Sequence, residues 1–369
     1  MTEAGRKMRV GVVFGGRSGE HEVSVKSARS VMERLDPAAY EVFPLAVTRE
    51  GHWLGADQSR SVVPHPQVVN SSNEGGVVVR LGRGIEAFGC LSGTLPALDI
   101  IFPVMHGTYG EDGTIQGLLE MANLPYVGAG VAGSAIGMDK VLMKDVWASH
   151  GLPQPAWTVA FRSQIEKNLR DVVARVLDHP GLPCFIKPAN LGSSVGITKA
   201  RTLGELEDGL RLAAQFDRKV LIEASVEKPR ELNLAVLGNE DPEVSVAGEI
   251  VHDRDWLDYA GKYIVKEGVE CIIPATLEPS VLAEAQRLSI AAFQALDMNG
   301  LSRVDFLMDA QGRLLLNEIN TMPGFTPVSI YAKLWAASGL EYSALLDRLI
   351  QLGLERFHDR QRNQVCSMA

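Results

Sequence analysis

The chain has 369 residues, with 36 Lys and Arg against 45 Asp and Glu, for a formal net charge of −9. Hydrophobic residues make up 46% and charged residues 22%, the balance of a folded globular protein with room for about two or three domains, not of a disordered one. The acidic balance argues against nonspecific binding to nucleic acid or an anionic membrane, and no run approaches the roughly 18–20 uninterrupted apolar residues of a membrane span. The residues before Met8–Gly16 look in outline like the head of an export signal. They lead, without a small-residue cleavage site, into Arg17-Ser18-Gly19-Glu20, so a first strand is expected at Arg9–Phe14. After the turn Gly15-Gly16, a helix is expected with Ser24, Ser27 and Ser30 among Val23, Val25, Ala28, Val31 and Leu35, the opening of an α/β layer.

A second strand, Tyr40–Val47, precedes a stretch rich in Gly, Ser, Asn and Pro, within which Gly76–Leu81 and Ile85–Cys90 alternate like a small hairpin. The buried-looking strand Asp99–Met105 ends at His106-Gly107, a helix is expected over Thr114–Ala122, and Pro125–Val127 enters the small-residue loop Gly128–Gly133, closing a first unit near residue 135. Helical periodicity resumes at Lys140–His150 and Gln164–Leu177. Strand-like runs follow at Pro183–Pro188, Val220–Glu223, Leu232–Leu237 and Val244–Ile250, then a polar loop His252–Gly268, a helix Pro279–Leu296 and a hairpin Ser302–Asn320. This β-rich remainder breaks the regular alternation of the first unit, so a two- or three-domain α+β enzyme is expected. Cys90, Cys184, Cys271 and Cys366 are too widely separated for a zinc or redox motif, which suits a reduced, cytoplasmic protein.

The strongest chemical signal is the hairpin. Glu318 and Asn320, two apart on one strand, share a face, and pairing with the preceding strand brings Asp305 near them, in a register the sequence leaves open. Two carboxylates and a carboxamide suit Mg²⁺ bridged to nucleotide phosphates, although a hairpin with a wet face has the same pattern. Arg303 and Pro323-Gly324 favour the former, since a guanidinium and an unhindered N–H both stabilise charge developing on a reacting oxygen. Lys187 and the Gly/Ser loop Ala189–Gly196, with Ser193 and Ser194, read as a phosphate cradle or a plain surface loop; no Walker A pattern is present. The turn at Gly15–Glu20 misses the Rossmann spacing, and Glu20 would repel a pyrophosphate but suit a substrate ammonium, which excludes a dinucleotide fold. His106–Gly113, Lys262-Tyr263, and the pair Glu223 and Glu231 are each readable alone as a turn or a solvated charge.

Taken together and in this order, GGRSGEHEVS (15–24), HGTYGEDGTIQG (106–117), MDK (138–140), IKPANLGSSVG (186–196), KY (262–263) and RVDFLMDAQGRLLLNEINTMPGFTP (303–327) resemble the D-alanine–D-alanine ligases of the ATP-grasp superfamily. The resemblance implies an N-terminal α/β substrate-binding domain (1–137), a central ATP-grasp domain (138–226) and a C-terminal ATP-grasp catalytic domain (227–369), with ATP held between the last two. It implies a cytoplasmic homodimer that joins two D-alanines through an acyl phosphate for peptidoglycan precursors, with no nucleic-acid or membrane partner. It also implies Mg²⁺ as two ions, with Mn²⁺ able to replace it.

By motif, the resemblance puts Glu20 on the first substrate's ammonium, linked to Ser193 and Tyr263, and His106 near that substrate. Lys140, Lys187, Lys262 and Ser194 meet the phosphates, and Glu223, Ala224, Val226 and Glu231 meet adenine and ribose. Asp305, Glu318 and Asn320 bind magnesium, Arg303 and the Gly324 N–H form the oxyanion site, and Ser329 takes the second substrate's carboxylate. Gly19, where Ser or Ala is frequent, and a spacing from Glu223 to Glu231 one residue longer than in some relatives are the departures. D-alanine–D-lactate and D-alanine–D-serine ligases are the nearest rivals, and Tyr263 resembles the dipeptide-forming type more than the depsipeptide-forming one. A silent nucleotide-binding protein would lack the metal ligands or Arg303, and none is missing.

Overall fold

The computed structural model describes residues 6–62, 77–90, 95–252, 269–326 and 328–364. The N-terminal strands are β1 (Met8–Gly15), β2 (Tyr40–Val47), β3 (Val77–Val79), β4 (Phe88–Cys90) and β5 (Ile100–Val104). β1 lies between β2 and β5, parallel to both, and β3 and β4 form the expected antiparallel hairpin. A Cβ on Gly15, whose φ is 87°, would stand 2.2 Å from the Val47 carbonyl oxygen, so only glycine lets β1 turn here into helix His21–Arg34. The serines of that helix face inward. Ser24 Oγ accepts from Gly15 N and donates to the Val104 carbonyl, and Ser30 Oγ donates to the Tyr342 hydroxyl at 3.2 Å.

Two antiparallel sheets make the rest. The first contains β6 (Trp157–Phe161), β7 (Cys184–Pro188), β8 (Thr198–Ala200) and β9 (Lys219–Ala224) in the order β6-β9-β7-β8. The second contains β10 (Arg230–Gly238), β11 (Glu243–Val244), β12 (Gly248–His252), β13 (Val269–Ile272), β14 (Gly300–Met308) and β15 (Leu314–Asn320), in the order β13-β12-β10-β14-β15 with β11 on β10. The chain returns at its C-terminal end to finish the N-terminal core. Helix Tyr342–Arg360 lays Leu345, Leu346, Leu349 and Ile350 into one apolar cluster with Val10, Phe14, Ile100 and Phe102.

The structure corrects several expected elements. The helix expected over 164–177 is two, Arg162–Lys167 and Leu169–Asp178, broken at Asn168, whose φ of −151° leaves the helical region. The strand expected over 244–250 is β11 and β12, separated by residues 245–247, where Ser245 turns its hydroxyl to the Ala235 N–H at 3.0 Å. The loop expected to run to Gly133 becomes helix already at Val131. Helices Leu203–Phe216, Ile330–Ala337 and Tyr342–Arg360, and strand β6, had no reading from sequence. Among the described residues no helix is long and apolar enough to cross a membrane.

Helix Lys140–Ser149 packs against the second sheet through Met143 and Trp147, which share a cluster with Leu234, Phe293, Val304 and Ile319. Trp147 is fully buried and donates its indole N–H to the Ala292 carbonyl at 3.2 Å. Trp147→Ala is expected to cost about 3–5 kcal/mol through cavity and lost contacts. That loss should appear as a large drop in the thermal or denaturant midpoint; a midpoint equal to the wild type would remove Trp147 from the core.

Candidate active site

Two facing sheets and the ends of the N-terminal unit converge on the motif residues. Asp139 caps helix Lys140–Ser149, accepting from the N–H groups of Val141 and Leu142, and pairs with Lys219 at 2.5 Å. The cap sets Lys140 in the first turn, where its Nζ donates to the Leu191 carbonyl at 2.7 Å and lies 3.8 Å from Glu318. The loop after β7 is held by Asn190, whose N–H donates to Asp217 at 2.8 Å. Its next residues turn back through left-handed Ser193 (φ 55°) and Ser194 (φ 58°), the kind of bend that aims backbone N–H groups inward.

Glu20 reaches this loop from the N-terminal unit and accepts a hydrogen bond from Ser193 Oγ. Close approach is possible because both flanking positions lack a side chain. A Cβ on Gly107 or on Gly192 would come within 2.9 Å and 2.8 Å, respectively, of Glu20 Oε2. Behind Glu20, His106 is buried, with Nε2 3.0 Å from Ser27 Oγ, Nδ1 3.2 Å from the Met322 carbonyl and 3.6 Å from Glu111. Burial pushes the imidazole pKa down, but Glu111 and Glu20 outweigh it and hold the ring above its ordinary value. Burial and the neighbouring Glu20 raise the Glu111 carboxyl against the opposing pull of His106.

The register the sequence left open is now fixed. Asp305 stands opposite Glu318 and Arg303 opposite Asn320, so all four side chains share one face of the β14–β15 pair. The Arg303 guanidinium forks onto Asp305, Nε to Oδ1 and Nη2 to Oδ2, each at 2.7 Å. Asn233 on β10 donates to Asp305 Oδ1 at 2.6 Å, and Asn320 donates to Oδ2 at 3.1 Å. A bulge after Asp305 leaves Asn317 as an extra residue in β15, and its Oδ1 accepts from Lys187 Nζ at 3.2 Å, tying the two sheets together.

Glu223 on β9 is 1% exposed; its carboxylate lies between Lys187 Nζ, 2.7 Å away, and Lys144 Nζ. Burial raises a carboxyl pKa, yet the two ammonium groups hold Glu223 below its usual range. Burial opposes the charge on Lys187 too, but Glu223 lifts its pKa, whereas in Lys144 burial prevails and lowers it. Glu231, on β10 beyond the turn, is within 3.2 Å of His252 Nε2. Ala224 ends β9 and Val226 follows in the turn toward β10. Ser329 precedes helix Ile330–Ala337, and its Oγ accepts from Thr326 N at 2.9 Å. A Cβ on Gly324 would come 2.9 Å from that same Oγ, so the glycine backbone and Ser329 adjoin. Lys262 and Tyr263 lie outside the described residues.

The sequence reading missed Lys144, Asn317, Asn233 and Glu111. A signal existed for Lys144: with Lys140, Met143 and Trp147 it falls on the i, i+3, i+4, i+7 stripe that faces inward. Asn317 had none, because a bulge is invisible in a strand pattern.

Two antiparallel sheets facing each other across lysines, a Gly/Ser loop and an acid–amide hairpin define an ATP-grasp enzyme. Sequence models described as D-ala D-ala ligase N-terminus and D-ala D-ala ligase C-terminus match residues 9–129 and 146–351. The chain is 45% identical over 362 residues to the D-alanine--D-alanine ligase of Thermoanaerobacter sp. (strain X514), covering 96% of this chain and 99% of that protein. It is 43% identical over 357 residues to that of Bacillus cytotoxicus, covering 96% and 98%. Among solved structures, the D-alanine-D-alanine ligase from Coxiella burnetii superposes with a TM-score of 0.84 at 33% identity, covering 96% of each chain. The VanG D-Ala:D-Ser ligase from Enterococcus faecalis does so with 0.83 at 32%, covering 94% of this chain and 100% of that one. The chain belongs to the D-alanine–D-alanine ligase family.

Proposed function

We propose that this chain joins two molecules of D-alanine into D-alanyl-D-alanine, converting ATP to ADP and phosphate, to supply peptidoglycan precursors. The observation that carries this reading is the contact between Glu20 and Ser193. It sets an acid suited to a substrate ammonium against the loop suited to phosphate, so that an amino acid's carboxylate can reach a terminal phosphate. The relatives' names support D-alanine as both substrates.

In this reading a carboxylate oxygen of the first D-alanine attacks the terminal phosphorus and ADP departs, leaving an acyl phosphate. The neutral amine of the second D-alanine then attacks the acyl carbon, and the tetrahedral intermediate loses the extra N–H proton and expels phosphate, which takes that proton up. Glu20 orients the first substrate, with His106 behind it. Lys140, Lys187 and Ser194 hold phosphates. Glu223, Ala224 and Val226 line the adenine side, with Glu223 acting from beneath through Lys187, and Glu231 meets the ribose. Arg303 and the Gly324 N–H stabilise the oxyanion, and Ser329 at a helix N-terminus takes the second carboxylate. No covalent nucleophile is required; catalysis rests on positioning and charge.

The donor set fits magnesium. Glu318 and Asn320 face the same way as Asp305, and two carboxylates with an amide, completed by substrate phosphates, is the arrangement Mg²⁺ favours over an all-protein cage. Asp305 already accepts four N–H bonds, about its full capacity, so ligation by it needs a donor withdrawn; turning over the Asn320 amide does this and presents an oxygen. Mg²⁺, as two ions or with Mn²⁺ in its place, would be held by Glu318, Asn320 and Asp305 and would supply neutralisation of phosphate charge. The division at 137 and 226, a cytoplasmic location and a homodimer belong to the same reading; the separate sheets support the first, and the family supports the others.

The solved D-Ala:D-Ser ligase of similar shape keeps D-serine as the second reading. Purified protein with D-alanine, ATP and Mg²⁺ should form the dipeptide, read by mass, in step with phosphate, and form none from L-alanine. Phosphate release only on adding D-serine or D-lactate would move the assignment to a variant ligase, and no turnover with any of these would end the substrate assignment.

A further inference from the structure

Beneath the candidate phosphate site lies a charge cluster that the mechanism above does not use in full. Lys144 has no exposed side-chain surface, and among the described residues the acid it pairs with is Glu223, itself buried. The other oxygen of that carboxylate is 2.7 Å from Lys187, whose Nζ also takes the Asn317 carboxamide oxygen at 3.2 Å. One carboxylate is thus shared by two ammonium groups. One of them, Lys187, is the last residue but one of β7, ahead of the Gly/Ser loop, and the other lies one helix turn on from Lys140.

We propose that Lys144 is a positioning residue for the nucleotide: by occupying half of Glu223, it leaves Lys187 with a charge that Glu223 does not cancel, so that the buried cluster presents one excess positive charge to the polyphosphate. Without Lys144, Glu223 and Lys187 form a closed, neutral pair and the phosphates lose that attraction. A core ammonium carries a desolvation cost that a hydrophobe of similar length would remove, so its charge is what distinguishes Lys144 at this position. The excess charge lies in a region where fields are weakly screened, so its effect on an anion at the loop is large for one side chain. Glu318, 3.8 Å from Lys140 Nζ, also acts electrostatically on Lys144 and Lys187, and Glu231 on Lys187, but Glu223 is the acid in direct contact with them and the one whose charge Lys144 shares. Burial lowers the Lys144 pKa and the Glu223 contact opposes it, whereas in the less buried Lys187 burial is outweighed and Glu223 raises the pKa.

This inference rests on ATP being the bound nucleotide, and the test separates the two. The Kd values of ADP and adenosine are measured by calorimetry and competition for the full-length protein, for Lys144→Met, and for Lys144→Met combined with Glu223→Gln. If the wild type binds no ADP, the ATP reading fails before this one is reached. Given binding, Lys144→Met should weaken ADP relative to adenosine on the order of tenfold. The double variant, which restores one excess charge on Lys187, should regain most of that preference. An unchanged preference in Lys144→Met, or a further loss in the double variant, overturns the proposal, because a purely structural lysine gives losses that accumulate. Should Lys144→Met fail to fold, the double variant alone decides: a preference close to wild type supports the charge count, and a tenfold loss refutes it.

Discussion

Glu318→Gln is expected to lower turnover by about two orders of magnitude or more while leaving the unfolding midpoint within about 0.5 kcal/mol of the wild type. Glu318 lies on β15 opposite Asp305, its side chain a quarter exposed, so an isosteric amide opens no cavity, and Lys140, 3.8 Å away, keeps its 2.7 Å bond to the Leu191 carbonyl. What the amide lacks is the charge that, in the proposed function, would hold a divalent cation beside the phosphates. That interaction is worth several kcal/mol in the transition state, and each loss of about 1.4 kcal/mol is tenfold in rate. The Mg²⁺ concentration for half-maximal activity should rise with the same substitution, which a loss of protein folding alone does not produce. Normal turnover at normal Mg²⁺ would take Glu318 out of the metal set.

Much of this site was legible because its parts are local. Arg303, Asp305, Glu318 and Asn320 sit on one hairpin, and a strand period of two pairs Arg303 with Asp305 and Glu318 with Asn320 on a face each; the register and its bulge, which bring the two pairs to the same face, came from the structure. The strand Tyr40–Val47 and the helix Thr114–Ala122 also have the ends that their patterns predict, the latter closing on left-handed Asn123. What escaped depends on contacts distant in sequence. Helix Tyr342–Arg360 is amphipathic, but only the fold shows that its leucines complete the core built on β1 and β5. Glu223 reads in sequence as a solvated acid; its burial between Lys144 and Lys187 is a tertiary fact drawn from three separate elements. His106 likewise reads as the end of a strand, yet it joins Ser27 on the first helix to the Met322 carbonyl after β15, binding the N-terminal unit to the β14–β15 hairpin.

Arg303→Met is expected to lower kcat by about 10²–10³-fold with the Kd for ADP unchanged within about threefold, the signature of losing one donor to a developing oxyanion. The structure explains why the guanidinium is suited to this. Asp305 takes Nε and Nη2 in a two-point fork, and Asn233 and Asn320 fix that carboxylate in turn, so the plane of the guanidinium is set before substrate arrives. Preorganisation of this kind spares the reaction the cost of orienting a donor as charge appears. The same fork makes Arg303→Met ambiguous alone, because it leaves the mostly buried Asp305 carboxylate with two amide donors and no cation. Arg303→Lys resolves this: it restores a positive charge beside Asp305 but supplies a point charge in place of the fork. If Arg303 acts on the oxyanion through a fixed plane, the lysine variant should recover the unfolding midpoint yet remain at least about tenfold slow in kcat. If its role is only to neutralise Asp305, midpoint and kcat should recover together, and the oxyanion assignment would then rest on the Gly324 N–H alone.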